Sequence, residues 1–406
     1  VAVGQGALSA DTLGSRSTAI GRAALSAQNF TTATDTYNTA VGFHAGVNVT
    51  TGDRNTLIGS LAGDALTTGA ANVAVGYLAL SADTKGSSNV AVGRSALTAQ
   101  NFTTGTDSFN TAVGDRAGTA VTTGTANTFV GGLAGDGTDD GTNNTAMGYL
   151  ALSANCGNDN TAIGKASLQV ATGGGNVAVG KDSGLSLTSG TLNVLIGGLA
   201  GDALTDADEN VAVGYQALSA DTLGLKSTAL GNEALATQNF TTATSSYNTA
   251  AGYRAGFAVT TGINNTLIGA LAGDALTTPN NNVAVGSEAL TADTLGTTSV
   301  AIGRSTLKAQ NFTTATSTYN TAVGYTAGFA VTTGVENVLI GSLAGDALTD
   351  ADRNTVLGYS ALTLDTLGSR SVAIGAATLA NQNFTTATES YNTAVGYAAG
   401  QEVTTG

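Results

Sequence analysis

The chain of 406 residues has no tryptophan, one cysteine, one histidine and one proline, and only 10% of its residues are charged. Each scarcity removes a class of protein. With Cys156 alone, no intrachain disulfide can form. With His44 alone, neither a Ser-His-Asp triad nor a histidine metal cluster can be assembled. No run of 18 or more apolar residues is present, and no signal peptide pattern. Lysine and arginine total 14 against 28 aspartates and glutamates, a net charge of −14 with a pI near 4.2. That balance opposes nucleic-acid binding, which depends on basic side chains neutralising phosphates. An acidic surface also keeps elongated molecules apart in solution.

What the chain has in quantity is period. The pentapeptide Asn38-Thr39-Ala40-Val41-Gly42 returns from one end to the other, and its glycine occurs 23 times between Gly4 and Gly396. Gly42, Gly59, Gly76 and Gly93 are evenly spaced, and the next step, to Gly114, is longer by four. The same order of three short steps and one long recurs, so that four coils make a super-repeat of about 72 residues. The phase breaks once, between Gly148 and Gly180, where two steps are shorter by one and a long step is missing. A short fixed period signifies a repeat architecture in which each unit packs on its neighbours. The phased Val and Ile also exclude a disordered low-complexity chain.

Five residues with β-branched side chains at the second and fourth positions read as a short strand. Side chains alternate along a strand, so Thr39 and Val41 fall on one side and Ala40 on the other. The fold expected is therefore all-β, a parallel β-solenoid or β-roll of about 17 residues per coil, one continuous array over residues 1–406. Twenty-three coils at a strand spacing of about 4.8 Å give a rod on the order of 110 Å long. The chain begins inside a repeat and ends in Thr404-Thr405-Gly406, which reads as a segment of a longer protein.

Two expectations concern the faces of the strand. The β-branched positions are assigned to the core of the coil. The middle position, alanine in 17 of 23 copies and Leu, Phe or Val in the rest, then faces away from it. A strand apolar on both faces is buried on both, so Ala40, Leu57, Ala74, Ala322 and Leu339 are assigned to an oligomer face packed against further copies of the chain. The competing assignment is that the rest of each coil covers this column. Asn38 and Gly42, like Asn320 and Gly324, are read as structural: both residue types suit turns and left-handed backbone, and stacked asparagines form hydrogen-bonded ladders.

The rung Asn320-Thr321-Ala322-Val323-Gly324, followed by Tyr325-Thr326-Ala327, resembles the head repeats of trimeric autotransporter adhesins, and is similar to repeat regions of some phage tail fibres. The resemblance covers the whole chain. It implies a left-handed parallel β-roll, three chains around an axis, and an extracellular or cell-surface location. The coil differs in being longer than the usual adhesin repeat.

The long coil carries the Asn-Phe-Thr tripeptide at Asn29, Asn101, Asn239, Asn311 and Asn383. Four extra residues at a fixed place in every fourth coil predict a projecting loop, and projections from repeat scaffolds commonly bind. Each tripeptide is also an N-x-Thr glycosylation acceptor pattern. Gly175 to Lys181 has the glycine and lysine spacing of a phosphate-binding loop, but Asp182 stands where Ser or Thr is required and the stretch is another rung. Acidic turns at Asp136–Asp140, Asp206–Glu209 and Asp350–Asp352 read as solvated turns rather than calcium sites. No catalytic, cofactor-binding or metal-binding residue is assigned. The function expected is an extracellular structural fibre or adhesin-like rod, a homotrimer or homopolymeric filament, that displays its loops to a cell-surface or glycan receptor. A phage tail fibre segment is the alternative.

Overall fold

A computed structural model describes residues 1–406. It contains no helix, and its contacts group into two compact units, Val1–Leu199 and Ala200–Gly406. Each unit is a parallel β-solenoid, as the period predicted. Twelve rung strands lie in the first unit and eleven in the second, each of three residues apart from Ala2–Val3 at the start.

Within each unit, each rung pairs in parallel with the rung of the next coil and in strict register, Thr39 with Thr56, Ala40 with Leu57 and Val41 with Ile58. The longer fourth coil does not disturb that register: Val90, Ala91 and Val92 still align with Thr111, Ala112 and Val113. The four extra residues are accommodated elsewhere. They form a second, two-residue parallel pairing, such as Gly86–Ser87 with Thr106–Asp107 and Gly296–Thr297 with Thr316–Ser317.

The coil turns by left-handed backbone. His44, Leu80 and Arg54 adopt φ near +55°, as do their counterparts in the other coils. Such residues cost about 1–2 kcal/mol each outside glycine. Their amides are held by the neighbouring coil, as in His44 N–H to Arg22 O at 3.0 Å and Leu80 N–H to Ala96 O at 2.9 Å. The rung glycine is required for a stronger reason. At Gly42, φ is +143° and a Cβ would lie 2.4 Å from the carbonyl oxygen of Gly59.

The core corrects one expectation. The middle column lies inside the coil: Ala40, Leu57, Ala74, Ala322 and Leu339 are all 0% exposed in a single chain. These five are therefore packed by their own coil and present no surface to another copy. The β-branched residues point outward, with Ile58 at 39% and Ile302 at 38% exposed. The interior is narrow, which is why alanine dominates there. It is already occupied by fully buried leucines and valines such as Leu25, Val49, Leu66 and Leu80 and by the asparagine column.

The leucines and the phenylalanine of the middle column occur where the opposite wall is thinned to glycine. A Cβ on Gly46 would come within 2.5 Å of Leu57 Cδ1, and one on Gly63 within 2.8 Å of Leu57 Cδ2. Phe129 fills the space left by Gly118 and Gly135, and Leu339 that left by Gly328 and Gly345. Where the middle residue is Ala74 or Ala91, the facing position is Leu80 or Leu97, each fully buried. Large residues thus alternate between the two walls, and a coil with alanine facing glycine, such as Ala40 and Gly46, is filled by the leucines of its neighbours, Leu25 and Leu57.

Candidate functional site

Three features of the coil carry chemistry: a buried asparagine ladder, a buried polar relay beneath each long coil, and two exposed columns. The ladder is built from Asn38, Asn55, Asn72 and their successors, which are fully buried. Asn55 Nδ2 donates to Gly69 O of its own coil at 2.9 Å, and its Oδ1 accepts the backbone N–H of Asn72 at 2.9 Å. One amide therefore closes its coil and joins it to the next. Asn320 does the same, through Gly334 O at 2.7 Å and Asn337 N–H at 2.9 Å.

The relay was not anticipated from the sequence. Asp293 and Gln310 are 0% exposed, and Gln310 Nε2 donates to Asp293 Oδ2 at 2.6 Å. Asp293 Oδ1 accepts the amides of Gly296 at 2.9 Å and Phe312 at 3.3 Å. On the other side, Gln310 Oε1 accepts from Asn320 Nδ2 at 2.9 Å. The same contacts recur at Asp11, Gln28 and Asn38, at Asp83, Gln100 and Asn110, at Asp221, Gln238 and Asn248, and at Asp365, Gln382 and Asn392. Burial pushes the carboxyls of Asp221 and Asp293 above the usual aspartate value, against the lowering effect of the glutamine and backbone donors. A signal for the relay did exist. In all five long coils the sequence separation is 17 from aspartate to glutamine and 10 from glutamine to the rung asparagine. Where the long coil is missing, buried Cys156 and Ala171 occupy the corresponding stretch of the coil, and Cys156 Sγ contacts Thr138 Oγ1 at 3.2 Å.

The long loops rest on that relay. Phe102, Phe240 and Phe312 are buried at 7%, 5% and 6% exposure, while the threonines after them, Thr103 and Thr104 or Thr313 and Thr314, are exposed. Asn29, Asn101, Asn239, Asn311 and Asn383 are all exposed at the loop base. Each receives a hydrogen bond on Oδ1 from a threonine hydroxyl of the preceding coil, as in Thr84 to Asn101 at 3.1 Å and Thr294 to Asn311 at 3.0 Å. The five asparagines are therefore presented identically. At the far end of the loop stand Tyr37, Phe109, Tyr247, Tyr319 and Tyr391, each at least half exposed.

The second exposed column is the outer face of the rungs. Ile20, Ile58, Met147, Leu230, Ile268 and Ile302 lie on it, with exposures between 38% and 46%. Tyr77, Tyr215 and Tyr325, just beyond the rung glycine, border it.

The residues considered and set aside lie as expected of structural positions. Val177–Val179 is a rung strand, and Lys181 pairs with Asp182 at 3.0 Å. His44 stacks on Phe43 with ring centroids 3.9 Å apart. In the acidic turn at 350–352, Asp350 Oδ1 accepts from Thr333 Oγ1 at 2.7 Å and Asp352 Oδ1 from the Val335 amide at 2.8 Å. These carboxylates bind successive coils together. Comparison with protein-family models, curated proteins and solved structures gives no match. The class that fold and surfaces define is the parallel β-solenoid with phased surface loops.

Proposed function

We propose that the chain is part of an extracellular, adhesin-like structural fibre, in which solenoids associate side by side and display the long coils for attachment to a cell-surface or glycan receptor. The observation that carries this reading is the outward aliphatic column, which is apolar at the fourth rung position in all 23 copies. A soluble β-sheet with one solvated face ordinarily alternates apolar and polar residues. Here the inner face is already filled by alanine and leucine, so the outer column is surplus to the needs of one chain.

A strip four or five residues wide, roughly 15 Å, and about 50 Å long within either unit spans about 750 Å². A standard stable interface buries about 800 Å² per partner, so the strip is of sufficient size. Self-association through this face replaces the alanine-face packing expected from the sequence. It leaves the five loops on another edge, where many equivalent weak contacts would add by multivalency. The five exposed Asn-Phe-Thr sites suit either receptor contact or glycan attachment there.

Native mass tests the reading. Mass photometry of the purified chain is expected to give a discrete oligomer, and a variant carrying Val285→Glu, Ile302→Glu and Val323→Glu is expected to give single chains with an unchanged β-type circular dichroism spectrum. A wild-type chain that is monomeric at micromolar concentration would remove side-by-side association from the proposal.

A further inference from the structure

We propose that the long coils built on Asp221 and Asp293 are acid-responsive latches: proton uptake by the buried aspartate weakens its hydrogen bonds and loosens the exposed loop, while the rung ladder stays closed. The direction of each hydrogen bond in the relay is fixed inward from the backbone. At Asn320, Oδ1 accepts the Asn337 amide and Nδ2 donates to Gly334 O. Backbone groups on both sides thus fix the orientation of this side-chain amide. Its Nδ2 also faces Gln310, which must accept through Oε1. Gln310 Nε2 is then forced toward Asp293, and it donates also to Ser299 Oγ at 2.8 Å. The group that meets it must be an acceptor only, and an ionised carboxylate is one.

No cation stabilises this anion. The charged side chains of its own and the adjoining coils are Asp274, Glu288, Arg304 and Lys308. Glu288 pairs with Lys308 at 2.7 Å, Arg304 is exposed, and none of the four acts on the Asp293 carboxyl. The groups that hold it are N–H donors: Gln310 Nε2 and the amides of Gly296 and Phe312.

Protonation leaves no arrangement that keeps every bond at its full strength. With Gln310 in place, the Asp293 hydroxyl oxygen can accept from Nε2 only with its own proton turned away, and the charge-assisted aspartate–glutamine bond becomes a weaker neutral one. With Gln310 turned over, that bond is remade and the glutamine–asparagine bond is lost, because Asn320 cannot turn. In either case the amides of Gly296 and Phe312 exchange a charged acceptor for a neutral one, which is about half as strong. Phe312 is the buried anchor of the loop that follows it. The loosening is therefore local. For Asp293, as for Asp221, the carboxyl titrates above its unfolded value. The folded chain thus binds the proton more tightly than the unfolded one. Its contribution to global stability is complete below the unfolded pKa and is lost as pH rises through the folded one. In the opened loop the carboxyl stays buried but loses the Phe312 amide that favours its ionised form, so it binds the proton more tightly still than in the closed loop, and by the same linkage acid opens the loop without initiating unfolding.

Native-state hydrogen exchange between pH 7 and pH 4, corrected for intrinsic exchange rates and resolved to peptides covering 294–297 and 311–319, tests this. Protection there is expected to fall about ten-fold in acid, while the Asn337 amide keeps its protection. Asp293→Asn is expected to reproduce the acid pattern at pH 7 in that loop alone and to abolish its pH dependence. Adding Gln310→Glu to Asp293→Asn is expected to restore protection, since the new carboxylate accepts from both neighbouring amides. Equal protection at both pH values, parallel loss at Asn337, or failure of the double variant to recover would each overturn the proposal.

Discussion

Leu57 and Gly46 form the sharpest test of how the coil is filled. Leu57 is fully buried and occupies space that the missing side chains of Gly46 and Gly63 leave. Leu57→Ala removes three carbons from a fully buried site, which costs about 2–5 kcal/mol. Gly46→Ala alone places a Cβ 2.5 Å from Leu57 Cδ1 and 3.0 Å from Leu25 Cδ2. Overpacking of that kind costs about 1–3 kcal/mol, and the left-handed backbone at φ +58° adds about 1–2 kcal/mol for a non-glycine residue. In the double variant the clash with Leu57 vanishes, and the backbone strain and the milder approach to Leu25 Cδ2 remain. The two effects should therefore fall short of additivity by about 1–3 kcal/mol. Ile58→Ala, one residue along but on the outside, should cost less than about 1 kcal/mol in the dissociated chain. A repeat array does not unfold in two states as a whole, so local opening energies from native-state hydrogen exchange over residues 42–63 are the appropriate readout. Additivity within about 0.5 kcal/mol, or a larger effect for Ile58 than for Leu57, would refute the packing account.

Two further outcomes follow from the backbone contacts. Gly303→Ala should destabilise its coil by more than about 3 kcal/mol, because the added carbon meets Gly324 O at 2.3 Å and backbone cannot yield as a side chain does; wild-type protection at Gly324 in the variant would contradict this. Asn72→Ala leaves the buried Asn89 amide and Gly86 carbonyl without their partner. That should cost about 2–5 kcal/mol, whereas Asn72→Ser, the residue that naturally stands at Ser17, Ser227, Ser299 and Ser371, should cost less. Equal melting behaviour of the two variants would show that the ladder bond is not what matters.

The coil length, the parallel register and the closing role of Asn38 and Gly42 were legible because a repeated sequence states its own phase. The polarity of the strand was not. Val41 and Ala40 are both apolar, so alternation alone could not say which faced in, and the larger side chain was assigned to the core. What decides the matter is width. The interior admits alanine for the most part, with leucine or phenylalanine opposite glycine and Val356 once beside Leu362, and the pairing of Leu57 with Gly46 and Gly63 was visible in the sequence as a correlated change of size. The relay escaped for a different reason. Asp83 and Gln100 belong to different coils, and each alone reads as an ordinary polar turn residue. Only the stacking of coils brings them within 2.6 Å. The exposed asparagines at 29, 101, 239, 311 and 383 lie where a projecting loop would put them, but the loop is tied down by its buried phenylalanine.

Thiol accessibility at two adjacent rung positions tests the central assignment most directly. Ala322→Cys and Val323→Cys, each in a Cys156→Ser background and under conditions that dissociate any oligomer, are treated with a maleimide in the folded state. The account predicts that position 322 is protected until the chain unfolds and that position 323 reacts at once. Rapid reaction at 322 with protection at 323 would place the aliphatic column inside the coil and contradict the account.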